Sequence, residues 1–383
     1  MTCEEPVPSA LNPHLRIGID GRALQGKRTG VGRYAFELCR RLDRCLPHAQ
    51  FFVYSYVPVE MPVSSNRWHL RTDASPFGKY MRPILWLKFR AGRLCYEDRL
   101  DAFWATAMFL PKLHAQVRTV ITVYDLNFKV APETMGNDRW LHRCFFARDV
   151  RKADRILAIS RGTSHRLGEL VGREAAAIVQ PAVGEAFRPQ AKETIRECLE
   201  TYHIRDPYIL AVATWEPRKN LELLIRAFLD LKYREALTRH KLVLVGGRGW
   251  KDERLAALVH GEGRQTIMPL GYVPDAHLPP LYAGADVFVF PSIYEGFGMP
   301  VLEARACGTR AVATDIPELR EAGGSDTIYI SPTVEGIRNG ILKALGQRLE
   351  ERANEPILPT WEQGVQVLAA ALVNDLRPEQ HTH

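Results

Sequence analysis

The 383-residue chain has no apolar run approaching the roughly 20 residues that cross a bilayer, so no transmembrane helix is expected. Its start, MTCEEPVPSALNPHL, is acidic and interrupted by proline, and it lacks the basic and apolar regions of a secretory signal. A cytoplasmic location follows as the expectation. No Cys-x-x-Cys pair occurs. The seven cysteines, Cys3, Cys39, Cys45, Cys95, Cys144, Cys198 and Cys307, are odd in number and scattered, which argues against a disulfide framework or a redox pair and leaves most of them as buried thiols. Asp-x-Asp is absent too, and no His/Cys cluster has zinc spacing, so no bound metal is expected.

What is present is the composition of a folded protein, 46% hydrophobic and 25% charged, which excludes a disordered tail, a collagen-like fibre and a small stapled scaffold. The length suits two domains, each able to bury its own core. Charge is unevenly placed. Residues 1–188 hold 29 Lys and Arg against 18 Asp and Glu, a net of +11, while residues 189–383 hold 22 against 26, a net of −4. Such asymmetry points the first half toward something anionic: nucleic acid, a phosphorylated substrate or an acidic membrane surface. A solvated basic face is the plain alternative.

Short apolar runs alternate with helical periods, the pattern of α/β proteins with mainly parallel sheets. Strands are expected at 15–20, 51–57, 101–106, 119–125 and 155–160, then at 208–214, 241–247, 266–272, 287–292 and 310–315. Two doubly wound, Rossmann-like domains follow. The boundary is expected after IVQPAVGEAFRP, where Pro181, Gly184 and Pro189 interrupt any helix or central strand. This divides the chain into a domain at 1–190, a second at 191–355, and a C-terminal helix and tail at 356–383, the helix packing back on the first domain.

The most informative stretch is YEGFGMPVLEARACG, residues 294–308. Pro300 suits the start of a helix and Gly308 its stop, while Gly296 and Gly298 leave the preceding turn open to close approach. Backbone N–H groups of Phe297, Gly298, Met299 and Val301 are expected to point out of that turn and attract phosphate. Glu295 stands before the helix and Glu303 one turn inside it, too far apart along the chain to assume a shared proton. As bare spacing, a glycine turn and two glutamates are common in α/β proteins; the full string is far more specific.

Near the start, LRIGIDGRALQGKRTGVGRYAFELCRRL (15–42) reads as strand, loop and helix. Gly30, Gly32 and Ala35 satisfy G-x-G-x-x-A, but a dinucleotide fingerprint needs its glycines immediately after the strand and an acid ending the next one. Ten residues separate Ile19 from Gly30, and 51–57 contains no acid, so a nicotinamide cofactor is not expected. What survives is a loop placing backbone N–H groups, with Arg33 and Tyr34, near a diphosphate or an acceptor.

The string from Glu295 to Gly308 resembles the signature of glycosyltransferase family 4, retaining enzymes of the GT-B fold, in which two Rossmann-like domains face across a cleft. Further blocks fall in the family's order: TGVGRYAFEL (29–38), ADRILAIS (153–160), TWEPRKNLELLIRAF (214–228), LVGGRGWKDE (244–253), GYVPDAHLPPLYAGADVFVFPS (271–292) and PTWEQGVQVL (359–368). The resemblance covers almost the whole chain. It is nearest to the branch that builds O-antigen and other surface polysaccharides, with mannosyl and rhamnosyl transferases among its members.

The resemblance implies roles. Glu303 would bind the nucleotide ribose and Glu295 the donor sugar, Arg218 and Lys219 would hold the diphosphate, and Gly246 and Val273 would line the donor site. The first domain would bind the acceptor. It also implies a hexose, with mannose from GDP-mannose as first choice, moved with retention to a glycan or lipid-linked glycan, without metal or other cofactor and without nucleic acid. GDP- or dTDP-linked deoxyhexoses, UDP-hexoses and a weakly active nucleotide-sugar-binding partner subunit stay open. One position departs from the family. Where a His commonly precedes an Asp at a strand end, this chain has Tyr124 before Asp125. A phenol donates a hydrogen bond but, with a pKa of about 10, carries no charge near neutrality. A kept sugar contact, a different donor or weak activity are the three outcomes.

Finally, KYMRPILWLKFRAGRL (79–94), if helical from Pro83, aligns Arg82, Trp86, Arg90 and Arg93 in one stripe. Such a stripe can lie on an anionic membrane surface, at the inner face of the cytoplasmic membrane. A core helix with a solvated basic side explains it equally well.

Overall fold

Apolar runs such as RIGID, QFFVYS and KLVLV are too continuous for strands with one wet face, and they form the centres of two parallel sheets covered by helices. The structure, a computed structural model, describes residues 15–26, 30–73, 81–130, 139–247, 249, 253–346 and 357–374. The first sheet contains β1 (Arg16–Asp20), β2 (Gln50–Ser55), β3 (Trp68–Thr72), β4 (Ala102–Ala105), β5 (Arg118–Val123), β6 (Arg155–Ala158) and β7 (Ala177–Ile178), in the order β3-β2-β1-β4-β5-β6-β7. The second contains β8 (Tyr208–Val212), β9 (Lys241–Val245), β10 (Ile267–Gly271), β11 (Val287–Phe290), β12 (Ala311–Thr314) and β13 (Ile328–Ile330), in the order β10-β9-β8-β11-β12-β13. Every pairing is parallel.

All ten expected strands form. The three that periodicity did not show, β3, β7 and β13, are edge strands, where one neighbour suffices and a continuous apolar run is not required.

In each sheet the strand order reverses beside the first strand, between β1 and β4 in one and between β8 and β11 in the other. At such a switch point consecutive crossovers leave on opposite faces, and their loops open a crevice at the carboxyl ends of the two strands.

The described residues fall into two compact units. One holds residues 15–125, 139–181 and 360–374; the other holds 126–130 and 182–359. Within the first unit, the helix Trp361–Val373 starts from a capping box, Thr360 Oγ1 accepting from Gln363 N–H while Gln363 reaches back to the Thr360 N–H. It packs on the helix Gly30–Cys45. Trp361 meets Tyr34 edge-on at 5.8 Å, and Glu362 pairs with Arg41 at 2.7 Å.

Candidate active site

Two loops leave the switch point of the second sheet. The first follows β8 and contains the turn Pro217–Lys219, where Pro217 fixes the entry and Asn220 ends it in the left-handed conformation at φ 56°. The second follows β11 and runs through Ser292 to Glu295. The two loops are stitched together, because the Arg218 carbonyl accepts from the Ile293 N–H at 2.9 Å.

That stitching brings three donors to one oxygen. Glu295 Oε1 lies 2.5 Å from Lys219 Nζ, 2.5 Å from Ser292 Oγ and 3.2 Å from Arg218 Nη1. Arg218 also pairs with Glu216 at 2.9 Å and reaches the Tyr294 carbonyl at 3.3 Å. Lys219 sits over the Phe290 ring at 5.0 Å, a cation–π contact that helps to hold a buried ammonium. Burial pushes the Glu295 carboxyl up, but Lys219 and Arg218 together outweigh it and hold the carboxyl below its ordinary value. Glu295 is therefore an anion at neutral pH. Two cations and two carboxylates make the cluster electrically balanced.

The helix Met299–Ala306 begins at Gly298, whose φ of 110° only glycine adopts readily; a Cβ there would lie 2.5 Å from Leu319 Cδ2. Its end is a Schellman motif: Gly308, at φ 83°, donates to Arg305 and Thr309 donates to Ala304. At its start, the N–H groups of Phe297, Gly298 and Met299 donate to no acceptor among the described residues. Val301 differs from the expectation. Its N–H already donates to the Gly298 carbonyl at 3.0 Å, because the first turn closes tightly behind Pro300. Gly296 lies half-buried in the turn.

Glu303 is buried one turn inside this helix and accepts from the Tyr282 hydroxyl at 2.9 Å. Gly246 follows β9 at φ 134°, where a Cβ would lie 2.1 Å from the Ala213 carbonyl oxygen; no other residue fits there. Val273 is buried just beyond β10. Sequence reasoning missed Glu216, Ser292 and Tyr282, which orient the charged residues. Glu216 and Ser292 lie inside strings already singled out, WEPRKN and VFVFPS, but no spacing rule marks an orienting group.

In the first unit, Tyr124 and Asp125 follow β5. Tyr124 is buried, its ring meets Tyr34 edge-on at 5.3 Å, and its hydroxyl has no hydrogen-bond partner among the described residues. Burial pushes that phenol far above its ordinary pKa. Gly30 and Gly32 lie in the first turn of the helix Gly30–Cys45 rather than in a loop, with Arg33 beside them. Tyr34 corrects the expectation of a ligand contact: it is 3% exposed and its hydroxyl donates to the Val179 carbonyl at 3.0 Å, so it is a packing residue.

The expected basic stripe is also corrected. Residues 83–97 form three short pieces, Pro83–Trp86, a wider π-helical turn Leu87–Ala91, and Gly92–Glu97. The π turn shifts the residue period and breaks the alignment of Arg82, Trp86, Arg90 and Arg93. Trp86 is fully buried, and its Nε1 donates to Asp73 at 3.0 Å, the same carboxylate that pairs with Arg90 at 2.5 Å. Arg82 precedes Pro83, and Arg93 pairs with Glu97 at 3.2 Å. No group of three or more His, Cys, Asp or Glu among the described residues could hold a metal ion.

Two doubly wound parallel sheets of this kind, each with its reversal beside the first strand, define a two-part Rossmann-like protein. The fold matches a sucrose-phosphate synthase from Thermosynechococcus elongatus with a TM-score of 0.66 at 18% identity, over 94% of this chain and 95% of that one. Residues 206–347 match the family described as glycosyl transferases group 1. The chain is 32% identical over 342 residues to O-antigen chain mannosyltransferase B of Escherichia coli, covering 83% of this chain and 87% of that protein. It is 34% identical over 260 residues to a serotype-specific mannosyltransferase of Escherichia coli, covering 65% of this chain and 31% of that protein. The chain belongs to the group 1 glycosyltransferases.

Proposed function

We propose that this enzyme moves a mannosyl residue from GDP-mannose to a glycan, lipid-linked during surface polysaccharide synthesis, with retention at the anomeric carbon. Similarity to two mannosyltransferases supports the sugar, and the likeness over 342 residues to an O-antigen enzyme supports the pathway class. Retention and the guanine base rest on the family resemblance. Glu303 binds the ribose hydroxyls, and the open N–H groups of Phe297, Gly298 and Met299 face phosphate.

The observation that carries the chemistry is the convergence of Arg218, Lys219 and Glu295 at one switch point. A departing nucleoside diphosphate gains negative charge, and two cations already fixed by carboxylates need little reorganisation to receive it. The diphosphate shares the cations with Glu295, whose remaining acceptor sites take hydrogen bonds from the sugar. With charge met this way, no metal is required. The acceptor hydroxyl attacks from the face the diphosphate leaves, and a phosphate oxygen takes its proton, so catalysis is mainly positioning and electrostatics.

A lipid-linked acceptor would bring the enzyme to the inner face of the cytoplasmic membrane. Among the described residues no helix is long and apolar enough to cross one. The test is a thermal-shift panel of nucleoside diphosphates and sugar nucleotides, because a ligand at 100 times its Kd stabilises the fold by about 2.7 kcal/mol. GDP and GDP-mannose should raise Tm most, and Glu303→Gln, which weakens the ribose contact all ribonucleotides share, should shrink the shift for each of them. Preference for UDP- or dTDP-sugars would overturn the donor, and binding without turnover on any acceptor would indicate a partner subunit.

A further inference from the structure

The switch point of the first sheet carries charged groups that the chemistry above does not use. Asp20 ends β1 with its carboxylate fully buried, and it accepts from Nε, Nη2 and the backbone N–H of Arg22 at 2.9, 2.7 and 3.1 Å. The loop after β4 lies against this pair. Thr106 Oγ1 donates to the Asp20 carbonyl at 2.5 Å, Arg22 Nη2 reaches the Ala107 carbonyl at 3.5 Å, and the guanidinium stands 5.8 Å from the centre of the Phe109 ring. The far end of the same loop is held as well. Leu110 donates its N–H to Asp149 at 3.1 Å and accepts from Lys88 Nζ at 2.8 Å, while Lys88 and Asp149 form a second buried ion pair.

Between the two pairs Met108 adopts the left-handed conformation at φ 64°, uncommon for a residue other than glycine. Such a conformation persists where its surroundings over-determine it, and such positions gather at ligand sites. The ion pairs point the same way. Apolar side chains of similar volume stabilise a fold as well as a buried ion pair does, so stability alone does not account for two of them around one loop. Charge then limits the ligand. Each cation is already matched by a buried carboxylate, so an anion would lose its water here without net attraction. Donors are nevertheless on offer, since Arg22 Nη1 donates to no acceptor among the described residues. Tyr124, after the neighbouring strand β5, holds its buried hydroxyl without a partner; burial, then Tyr34 and Asp20 beside it, push that phenol up. Phe109, edge-on to His142 at 4.9 Å, adds apolar surface. A few polar groups set in aromatic surroundings are the make-up of a small-ligand site, and uncharged donors beside rings suit the hydroxyls and C–H faces of a sugar.

We propose that Arg22 selects an uncharged sugar at the end of the acceptor, its Nη1 donating to the sugar hydroxyls, and that Lys88 and Asp149 are positioning residues for the loop 106–110 that carries Met108 and Phe109. That the first unit meets the acceptor is the family's expectation; the role of Arg22, the doubly held loop and the choice of an uncharged sugar go beyond it. The purpose rests on the transfer to a glycan proposed above. The binding does not, since it is measured with no donor present.

The experiment is saturation-transfer NMR on the full chain without nucleotide, with methyl α-mannoside, methyl β-galactoside and methyl β-N-acetylglucosaminide as probes, against mannose 6-phosphate and methyl glucuronide. At least one uncharged glycoside should bind, and both anionic sugars more weakly. Arg22→Lys keeps a cation beside Asp20 but removes the outward N–H groups, and it should raise the Kd of that glycoside about tenfold, the worth of one hydrogen bond to a charged group. Lys88→Met with Asp149→Leu removes the second pair without stranding a charge, and it should raise the same Kd by a similar factor. In transfer assays that double variant should raise the acceptor KM and leave the donor KM at the parent value, a split that loss of folded protein cannot produce. Urea unfolding at the parent midpoint shows that Arg22→Lys folds. The proposal is overturned if the parent binds none of the uncharged glycosides, if it prefers the anionic sugars, or if Arg22→Lys leaves the Kd unchanged. An unchanged Kd in the double variant overturns the role of Lys88 and Asp149. Glycoside binding that depends on Arg22, with no transfer from any sugar nucleotide, would count against the donor reading alone.

Discussion

Three donors on one carboxylate oxygen make Glu295 and Lys219 interdependent. Breaking a buried ion pair from one side leaves a charge without its counterion, a loss of about 3–5 kcal/mol, whereas removing both partners can be nearly neutral. Lys219→Met alone is expected to lower stability by about 3 kcal/mol, and Lys219→Met with Glu295→Leu to recover most of it. Transfer should be lost in both. Urea unfolding reads the cycle, and strictly additive losses would remove the coupling. The sign of its pH dependence follows from Glu295, whose carboxyl lies below its ordinary value when folded. Its stabilisation is complete at neutral pH, above the unfolded-state pKa of about 4.3, and is lost as pH falls through the lower folded value. Glu295→Gln should flatten that acid limb of the urea midpoint.

Tyr124 poses the opposite case. A buried hydroxyl without a partner costs roughly 1–3 kcal/mol, so Tyr124→Phe should leave the unliganded fold as stable or more so. If the hydroxyl meets the sugar, the same change should lower kcat/KM about tenfold, one lost hydrogen bond in the transition state. Unchanged kinetics with raised stability would leave it a packing residue like Tyr34.

At the scale of elements, the entrance of the helix Met299–Ala306 depends on one backbone angle. Gly298→Ala forces a side chain into φ 110° and against Leu319, for an expected loss of about 2–4 kcal/mol. Nucleotide-dependent stabilisation should fall with it, since the helix start moves. A shift equal to the parent's would show that the phosphate is held elsewhere. The sequence carried this element well: Pro300 and Gly308 mark its ends, and the fully buried strands before it read as continuous apolar runs. Other features were invisible for physical reasons. β3, β7 and β13 sit at sheet edges and need no apolar run. The π turn at Leu87–Ala91 adds a residue to a helical period, which no 3.6-residue template anticipates, and so Arg90 and Arg93 fall out of line with the buried Trp86 before it. Tyr34 shows the limit at a motif, since a helix start rich in glycine does not say which neighbouring side chain faces the core. The partners of Glu295 arise from loops meeting at a switch point, and that of Glu303 from one helix packing on another, Tyr282 lying in Leu278–Ala283, long-range events absent from local spacing.

At the scale of the whole molecule, the chain's return to its first unit makes that unit depend on a distant segment. Trp361, Val365, Leu368 and Leu372 are buried there, and Gly364 lets the helix approach closely, since a Cβ would lie 3.1 Å from Val179 Cγ1. Each large buried apolar side chain contributes about 1.5–3 kcal/mol, so four together match much of the 5–15 kcal/mol that holds a domain. A chain truncated after residue 356 should therefore lose the first unit, while the second, which closes its own sheet without the helix, stays folded and keeps its nucleotide-dependent shift. Thr360→Ala, which removes only the cap, should cost about 1 kcal/mol and leave both units folded. Scanning calorimetry with limited proteolysis separates these cases: the truncated chain should show one transition and a protected fragment that contains the second sheet, β8 to β13. Loss of both units together would mean that the second cannot stand without the first, and the independence argued from its closed core would fail.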